Sequence, residues 1–513
     1  MDAAVKSLAL SFAAGALAAC GFAPLGLWPV TVAAMTALLW LVRTAPRLRT
    51  ALARGWWFGV GHFALGLNWI ATAFTYQSEM PAWLGWIAVL LLSLYLAVYP
   101  AAAAGLAWRW GRAEPMRMVL VFSSAWIVTE WLRATLFTGF AWNPLGVALL
   151  PTPLAQSAVL VGTYGLSGLA AAVAGILLLL VLRRWRASAA LAAGIAATAA
   201  AAWLASPPTT RGTGVALRVV QPNIGQQDKW RAGFERENLL RLARLSRWSE
   251  NEPRLLLWPE AAVTRPLENG LADIGHQAEV AQLRADVAWM MAGKDLLLTG
   301  GVTWRSRDGF DLTSATNSVF AMDPGGRILA RYDKAHLVPY GEYLPMRPIL
   351  SALGLSRLAP GDVDFDPGPG PRTLALPGIG KAGFQLCYEI IFSGQVVDPR
   401  NRPDFLFNPS NDAWFGAWGP PQHLAQARLR ALEEGLPVLR STPTGISAVV
   451  DAEGRLLRSL PWRTAGVIDT RLPAPKSATP FARLGNLLPL LFALALAALA
   501  FVRAHVAGRR KGR

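Results

Sequence analysis

The alternation of apolar and polar positions divides the chain into three stretches. Up to about residue 205, long apolar runs follow one another with only short loops between them: 1–21, 27–42, 55–74, 82–107, 118–137, 155–182 and 187–204. Runs of this size suit a bilayer crossing, for which roughly 20 residues suffice. From 206 to 480 the pattern becomes that of a soluble domain. Short β-branched runs predict strands at 215–220, 255–258, 296–302, 318–322, 328–332, 383–386, 405–407, 438–441, 447–450 and 466–469. Apolar residues at helical spacing predict helices over 234–248, where Leu239, Leu240, Leu242 and Leu245 sit among charges, and over 278–291 and 422–434. The turn Asp323-Pro324-Gly325-Gly326 joins two of the strands into a hairpin. A last apolar run occupies 484–502. The expected architecture is a multi-pass α-helical membrane domain of about eight spans with an α/β domain inserted before the last. Residues 1–205 form seven of those helices, 206–480 the inserted domain, and 481–513 the final helix with a basic tail.

Composition supports the membrane reading. Of 513 residues, 53% are hydrophobic and only 16% charged, against about a quarter charged in ordinary soluble proteins. The net charge of +17 is not a nucleic-acid patch, because the cations lie in short clusters between apolar runs. Arg43, Arg47, Arg49 and Arg54 follow the second run, Arg109, Arg112 and Arg117 the fourth, Arg183, Arg184 and Arg186 the sixth. Arg503, Arg509, Arg510, Lys511 and Arg513 follow the last. The intervening loops carry almost no positive charge, so the positive-inside rule places both termini in the cytoplasm and 206–480 outside. That side is the periplasm in a Gram-negative cell. Leu17-Ala18-Ala19-Cys20 has the look of a lipoprotein cleavage site, but further apolar runs follow at once, which favours a first membrane helix. The two cysteines, Cys20 and Cys387, give no disulfide framework. Glu130 and Arg133 share a helix face inside the fifth run, either as a neutralising pair or as a headgroup contact.

Three predicted strands in the inserted domain end on reactive groups. Leu255-Leu256-Leu257-Trp258-Pro259 leads to Glu260, Arg331-Tyr332-Asp333 to Lys334, and Gly383-Phe384-Gln385-Leu386 to Cys387. Each alone has an ordinary explanation: a helix N-terminal charge, a surface lysine, a core thiol. Together they are a base, a cation and a nucleophile. A thiol becomes a useful nucleophile when a cation lowers its pKa or a carboxylate takes its proton. Attack on an acyl carbonyl then places negative charge on oxygen, where Lys334 and a backbone N–H such as that of Tyr388 can stabilise it. No histidine is required, and His336 and His423 read as structural.

These residues carry a specific resemblance. Trp258-Pro259-Glu260, Tyr332-Asp333-Lys334 and Cys387-Tyr388-Glu389 resemble the Glu–Lys–Cys triad of the nitrilase superfamily. Lys334-Ala335-His336-Leu337-Val338-Pro339-Tyr340-Gly341-Glu342-Tyr343-Leu344-Pro345, Ser410-Asn411-Asp412-Ala413-Trp414-Phe415-Gly416 and Arg428-Leu429-Arg430-Ala431-Leu432-Glu433 resemble the apolipoprotein N-acyltransferases within it. Glu130-Trp131-Leu132-Arg133 followed by Thr138-Gly139-Phe140 fits the same family, although Ala141 stands where a proline is expected before Trp142. The resemblance implies a four-layer αββα sandwich for 206–480 and a two-step reaction in the bacterial inner membrane, with the sandwich facing the periplasm. In the first step Cys387 attacks the sn-1 ester of a phospholipid, with Glu260 as base and Lys334 on the oxyanion. In the second, the α-amine of a diacylglyceryl-cysteine apolipoprotein resolves the thioester. Glu342, Tyr388 and Glu389 match supporting positions of the family. Neither a cofactor nor a metal is implied, and the partners are the bilayer, its phospholipid and the diacylated apolipoprotein.

Water or an amine can resolve such an acyl-enzyme, so a lipid-facing, water-poor site favours transfer. Residues 344–358 are apolar, with Leu344, Met346, Ile349, Leu350, Leu353, Leu355 and Leu358, and directly follow Glu342. They read as a lid or arm that dips into the bilayer surface, against the alternative of a core-packing insertion. Trp230, Trp414, Phe415 and Trp418 are candidates to line the acyl or peptide path. Two competing readings are a membrane-anchored nitrilase-type amidase and a non-catalytic lipid-binding protein or transporter.

Overall fold

The computed structural model describes residues 3–76, 81–206, 212–229, 233–247, 253–352 and 363–511. Trp230, Leu353, Leu355 and Leu358 lie outside the described residues. The first part is helical: α1 (Ala3–Ala19), α2 (Trp28–Arg43), α3 (Leu48–Gly66), the single turn α4 (Ile70–Ala73), α5 (Leu84–Leu96), α6 (Val98–Gly111), α7 (Pro115–Thr135), α8 (Ala158–Val181) and α9 (Trp185–Ala205). Among the described residues, length and apolarity mark three stretches as able to cross a membrane: Leu84–Gly111, Pro153–Val181 and Trp185–Ala205. Ala4–Ala19, Trp28–Arg43 and Leu487–Val502 are apolar but shorter, below the roughly 20 residues a straight crossing needs. The runs at 55–74 and 118–137 are helical too, but α3 carries Arg49, Arg54 and His62, and α7 carries Arg117, Glu130 and Arg133. The figure of about eight spans read from the hydropathy is therefore not reached by these criteria.

Among its described residues the inserted part contains thirteen strands. They are β1 (Gly212–Gln221), β2 (Arg254–Leu257), β3 (Pro266–Asn269), β4 (Leu296–Arg305), β5 (Ser314–Met322), β6 (Ile328–Asp333), β7 (Thr373–Leu376), β8 (Gly380–Phe384), β9 (Phe405–Pro409), β10 (Val438–Ser441), β11 (Ala448–Val450), β12 (Leu456–Ser459) and β13 (Gly466–Pro473). Its helices are α10 (Gln226–Lys229), α11 (Glu235–Ser246), α12 (Ile274–Trp289), α13 (Arg347–Ala352) and α14 (Gly419–Glu434). After β13 come α15 (Pro480–Leu484) and α16 (Leu487–Lys511). One sheet runs β13-β1-β2-β4-β5-β6 with β3 beside β4, and the other runs β12-β11-β10-β9-β8-β7.

Strand alternation decides the layering, since successive side chains point to opposite faces. In the first sheet Leu255, Leu257 and Leu298 face the second sheet, where they meet Phe384, Phe405, Phe407 and Leu439. Their neighbours Leu256, Trp258 and Leu297 turn the other way, onto Leu242 of α11 and Leu283 and Val287 of α12. In the second sheet Leu406, Val438 and Val450 turn outward onto Leu424, Ala427 and Leu432 of α14. The order is helix, sheet, sheet, helix. Three short strands, β3, β7 and β12, were not legible as apolar runs. β12 is exposed at all four positions, so no burial pattern marks it.

The far side of α14 docks on the membrane helices. α8 breaks at Gly162, whose φ is +63°. The Phe481 ring lies 2.2 Å from where a Cβ would stand there, so both the conformation and the space call for glycine. The break frees the Thr163 N–H, which donates to Glu433 Oε1 of α14 at 2.5 Å. Ser393, in the segment following Cys387, donates to the same oxygen at 2.7 Å. Arg430 pairs with Glu433 at 2.8 Å, so this carboxylate is neutralised where it is buried.

Candidate active site

Glu260, Lys334 and Cys387 each follow the C-terminal end of a strand: β2, β6 and β8. Because β2 and β6 belong to one sheet and β8 to the other, the three groups meet at one rim of the sandwich. All are buried, with Glu260 at 5%, Lys334 at 1% and Cys387 at 7% exposure. Gly300 of β4 allows the Glu260 turn to lie against the sheet, since a Cβ there would stand 2.6 Å from Glu260 Cα.

Lys334 Nζ contacts Glu342 at 2.8 Å and Glu260 Oε1 at 3.8 Å. Asn317 Nδ2 donates to Glu260 Oε1 at 2.8 Å and to Glu342 Oε1 at 2.9 Å, tying the two carboxylates together. Burial works against the Lys334 ammonium, but Glu342 and Glu260 outweigh it and raise its pKa, so Lys334 is a fixed cation. Glu260 Oε2 is buried with no hydrogen-bond partner among the described residues. A carboxylate oxygen held in place and left open is suited to accept a proton.

Cys387 has φ +47°, a conformation that β-carbon sterics make costly for any residue but glycine. It begins a tight helical turn, Cys387–Ile391. Burial raises the thiol's pKa well above its ordinary value; the Glu260 charge adds to this and Lys334 opposes it. Attack by this thiol therefore needs a base to take its proton.

Two networks hold the turn. Glu389 is the first. It accepts from Leu386 N at 2.7 Å, Ala335 N at 2.7 Å, His336 N at 3.0 Å and the Tyr332 hydroxyl at 2.9 Å. It thereby clamps the nucleophile turn to the strand end that carries Lys334. The second runs through His423 of α14, whose Nε2 donates to the Cys387 carbonyl at 3.0 Å. His423 Nδ1 lies 2.9 Å from Asp412 Oδ1 and 3.0 Å from Arg440 Nη2, and Asp412 pairs with Arg440 at 2.6 Å. Burial and then Arg440 lower the imidazole's pKa. Cys387, Asp412 and His423 offer metal-type donor atoms within 4.8 Å of one another. Both imidazole nitrogens already have partners, however, and Arg440 sits on the carboxylate.

The remaining predicted residues are spread more widely. Glu342 is at the centre, bound by Lys334, Asn317 and the Val338 N–H at 2.8 Å. Tyr388 points toward the membrane part and donates to the Gly139 carbonyl at 3.3 Å. Beside it His336 stacks on Phe392 at 3.8 Å and bonds the Thr138 carbonyl at 3.0 Å. Phe415 packs at 4.4 Å on Trp69 and at 5.6 Å on Trp142. Trp414 lies 6.0 Å from Tyr76. Trp418 is half-buried and packs on the core. Leu344 is buried, whereas Met346 and Ile349 are 63% and 61% exposed, and no residue of α13 is buried.

Glu130 accepts from Trp126 Nε1 at 2.9 Å and from the Leu145 N–H at 2.8 Å. Arg133 donates to the Trp142 carbonyl at 2.9 Å. Both brace the loop that presents Trp142, whose Nε1 donates to Gln422 of α14 at 2.8 Å.

Sequence reasoning passed over Asn317 and Lys229, and met Asn411 only within a family string, without a role. Asn317 lies in the polar run Thr316-Asn317-Ser318 beside a predicted strand, and that polarity in a buried strand was the available signal. Lys229 is buried, with Nζ 3.3 Å from the Glu260 carbonyl oxygen. Burial pulls its pKa down to about 8, against the opposing pull of Glu260 and Cys387.

The apolipoprotein N-acyltransferase N-terminal domain matches residues 14–176, and the carbon–nitrogen hydrolase family matches residues 216–478. An apolipoprotein N-acyltransferase of Bradyrhizobium diazoefficiens is 37% identical over 98% of this chain and 96% of that protein. One of Rhodopseudomonas palustris is 34% identical over 94% and 92%. Among solved structures, an amidase from Nesterenkonia sp. is 19% identical over 52% of this chain and 92% of its own, with a TM-score of 0.35.

Proposed function

We propose a two-step reaction for this chain, which belongs to the apolipoprotein N-acyltransferase family. The activity is N-acylation of lipoproteins, carried by a carbon–nitrogen hydrolase fold. In our reading the acyl donor is a membrane phospholipid and the acyl group travels as a thioester on Cys387. Glu260 Oε2 takes the thiol proton as sulfur attacks the ester carbonyl. Lys334, held by Glu342, faces the oxyanion together with a backbone N–H of the Cys387 turn. The C–O bond breaks, Glu260 returns the proton to the leaving glycerol oxygen, and lysophospholipid departs. The free α-amine of a diacylglyceryl-cysteine apolipoprotein then attacks the thioester carbon, the C–S bond breaks as the amide forms, and the amine proton passes through Glu260 to the Cys387 sulfur.

The observation that carries this reading is the convergence of a buried thiol, a buried paired lysine and a carboxylate oxygen without a partner at one rim of the sandwich. The surroundings favour acyl transfer over hydrolysis. His336 and Tyr388 touch the loop at 138–139 of the membrane part, Phe137 beside that loop is 87% exposed, and Met346 and Ile349 are exposed at 63% and 61%. We read these as the surface by which acyl chains enter, with 344–352 as a lid at the lipid interface. Residues 1–205 and 481–513 anchor the chain in the inner membrane, and 206–480 faces the periplasm, following the loop charges.

The test is a transfer assay in nanodiscs containing phosphatidylethanolamine. A diacylated lipopeptide with a free α-amine should gain one acyl chain by mass, and the same peptide N-acetylated should gain none. Release of free fatty acid at the same rate with either peptide would mean that water resolves the intermediate, and the amidase-type reading would replace this one.

A further inference from the structure

The proposed reaction uses Cys387, Glu260 and Lys334 but leaves a second buried oxygen unexplained. Asn411 is 6% exposed, and its Oδ1 has no hydrogen-bond partner among the described residues. Its Nδ2 donates to Gln226 Oε1 at 3.0 Å, and the next residue, Asp412, has a carboxylate oxygen within 4.8 Å of the Cys387 sulfur. Asn411 is therefore adjacent to the reacting atom. Gln226 in turn lines a cavity of about 450 Å³, together with Asn223, Gln227, Asp228, Thr444 and Arg463. From cavity to sulfur the order is Gln226, Asn411, Cys387.

A buried acceptor left empty is costly unless a ligand fills it. Two are present here, Asn411 Oδ1 and Glu260 Oε2, and both require an N–H or O–H. The ester carbonyl of a phospholipid has none to give, since its oxygens only accept. An α-amine has them, and must give up one proton as it attacks. The cavity lining agrees. Beside the rings of Tyr76, Phe415 and Trp462, its amides and hydroxyls match the main chain and apolar side chains of a peptide, and a lining with one Arg463 and one Asp228 does not suit a phosphodiester.

We propose that this cavity receives the peptide segment of the acceptor and that Asn411, exposed by rotation of the Gln226 side chain, positions its α-amine. This rests on the thioester reaction above. Asn411 Oδ1 accepts one amine N–H and so aims the nitrogen lone pair at the thioester carbon. The N–C bond forms, the C–S bond breaks, and one amine proton passes to Glu260 Oε2 and on to the Cys387 sulfur, regenerating the thiol.

The test separates the half-reactions. Full-length protein in nanodiscs is charged with phospholipid, the adduct on Cys387 is followed by intact mass, and a diacylated lipopeptide is then added. Asn411→Leu should slow transfer to the lipopeptide at least about ten-fold more than it slows charging, the scale of a lost hydrogen bond to an amine in a buried site. Asn411→Asp, which keeps an oxygen at this position, should transfer faster than Asn411→Leu. Equal losses in both half-reactions would assign Asn411 to the fold of the turn and overturn the inference, as would unchanged transfer in Asn411→Leu. If Asn411→Leu does not accumulate, Gln226→Leu on the cavity wall carries the same comparison. No adduct on the wild-type protein would overturn the thioester reading itself and this inference with it, whereas an adduct with normal transfer in both variants overturns only the inference.

Discussion

His423→Leu should disable charging of Cys387 without dismantling the site around it. His423 is fully buried and its Nε2 donates to the Cys387 carbonyl at 3.0 Å. The other donor near that oxygen, Asn408 Nδ2, is 3.5 Å away. Leucine removes the closer donor, and Asp412 and Arg440 keep each other as partners at 2.6 Å, so no buried charge is orphaned. The φ of +47° at Cys387 costs about 1–2 kcal/mol for an L-residue, and an unsatisfied buried carbonyl costs about 1–3 kcal/mol. Once the carbonyl loses its donor, relaxation of the turn becomes competitive with holding it. A loss of about 1.5–3 kcal/mol of positioning corresponds to roughly 10- to 100-fold in the charging rate. The assay is the initial rate of acyl adduct formation by intact mass in phospholipid nanodiscs. His423→Gln, which keeps an N–H donor on a flexible arm, should recover part of the loss. Charging of His423→Leu within about two-fold of wild type would refute the idea that this hydrogen bond holds the nucleophile.

Lys229 makes stability depend on pH. Its pKa is about 8 folded against 10.5 for the free side chain, so between those values the unfolded chain binds more protons and stability rises with pH. That gap is worth about 3 kcal/mol in full; Lys229→Met should abolish the rise in melting temperature between pH 8 and 10.5, and a rise that persists in the variant would show another group is responsible. Glu433→Gln should lower the melting temperature in detergent, because it leaves Arg430 buried without its counter-charge, a change that typically costs about 3–5 kcal/mol. Adding Arg430→Met should recover part of it, and a purely additive double variant would show that the pair is not coupled. Met346→Asp with Ile349→Asp on the exposed arm should cut charging from bilayers several-fold while leaving charging from a short-chain soluble ester nearly unchanged; equal loss with both donors would remove the lid from the account.

How far the sequence reached follows from what kind of signal each feature leaves. Strands such as β2 and β9 are buried on both faces and read as continuous apolar runs. Glu260 and Cys387, which follow β2 and β8, were conspicuous because a charge and a thiol stood at the end of a strand-like run. Lys334 was visible for the same reason. Partnerships were not visible. That Asn317 bridges Glu260 and Glu342, or that His423 holds the Cys387 carbonyl, depends on strands and helices meeting across the sandwich, which no local pattern encodes. His423 read as structural, and its hydrogen bond to the nucleophile's backbone shows how a structural histidine can govern a reactive turn. Glu130 and Arg133 read as a neutralising pair or a headgroup contact. Their hydrogen bonds go to the Leu145 N–H and the Trp142 carbonyl, so the two charges, which also act on each other, brace the loop that meets α14. The apolar runs number about eight, whereas length and apolarity mark three crossing stretches among the described residues, because charges within α3 and α7 and the shortness of α1 and α2 keep those helices below these criteria.

The central claim is that Cys387 carries the acyl group between two lipid substrates. The direct measurement is the mass of the intact protein after incubation with a phospholipid of defined sn-1 chain, before and after addition of a diacylated lipopeptide. The account predicts an added mass equal to that chain less water, mapped to Cys387, absent in Cys387→Ala and transferred to the lipopeptide on its addition. A wild-type protein that N-acylates the lipopeptide with no such adduct at any time, or an adduct that survives Cys387→Ala, would contradict it.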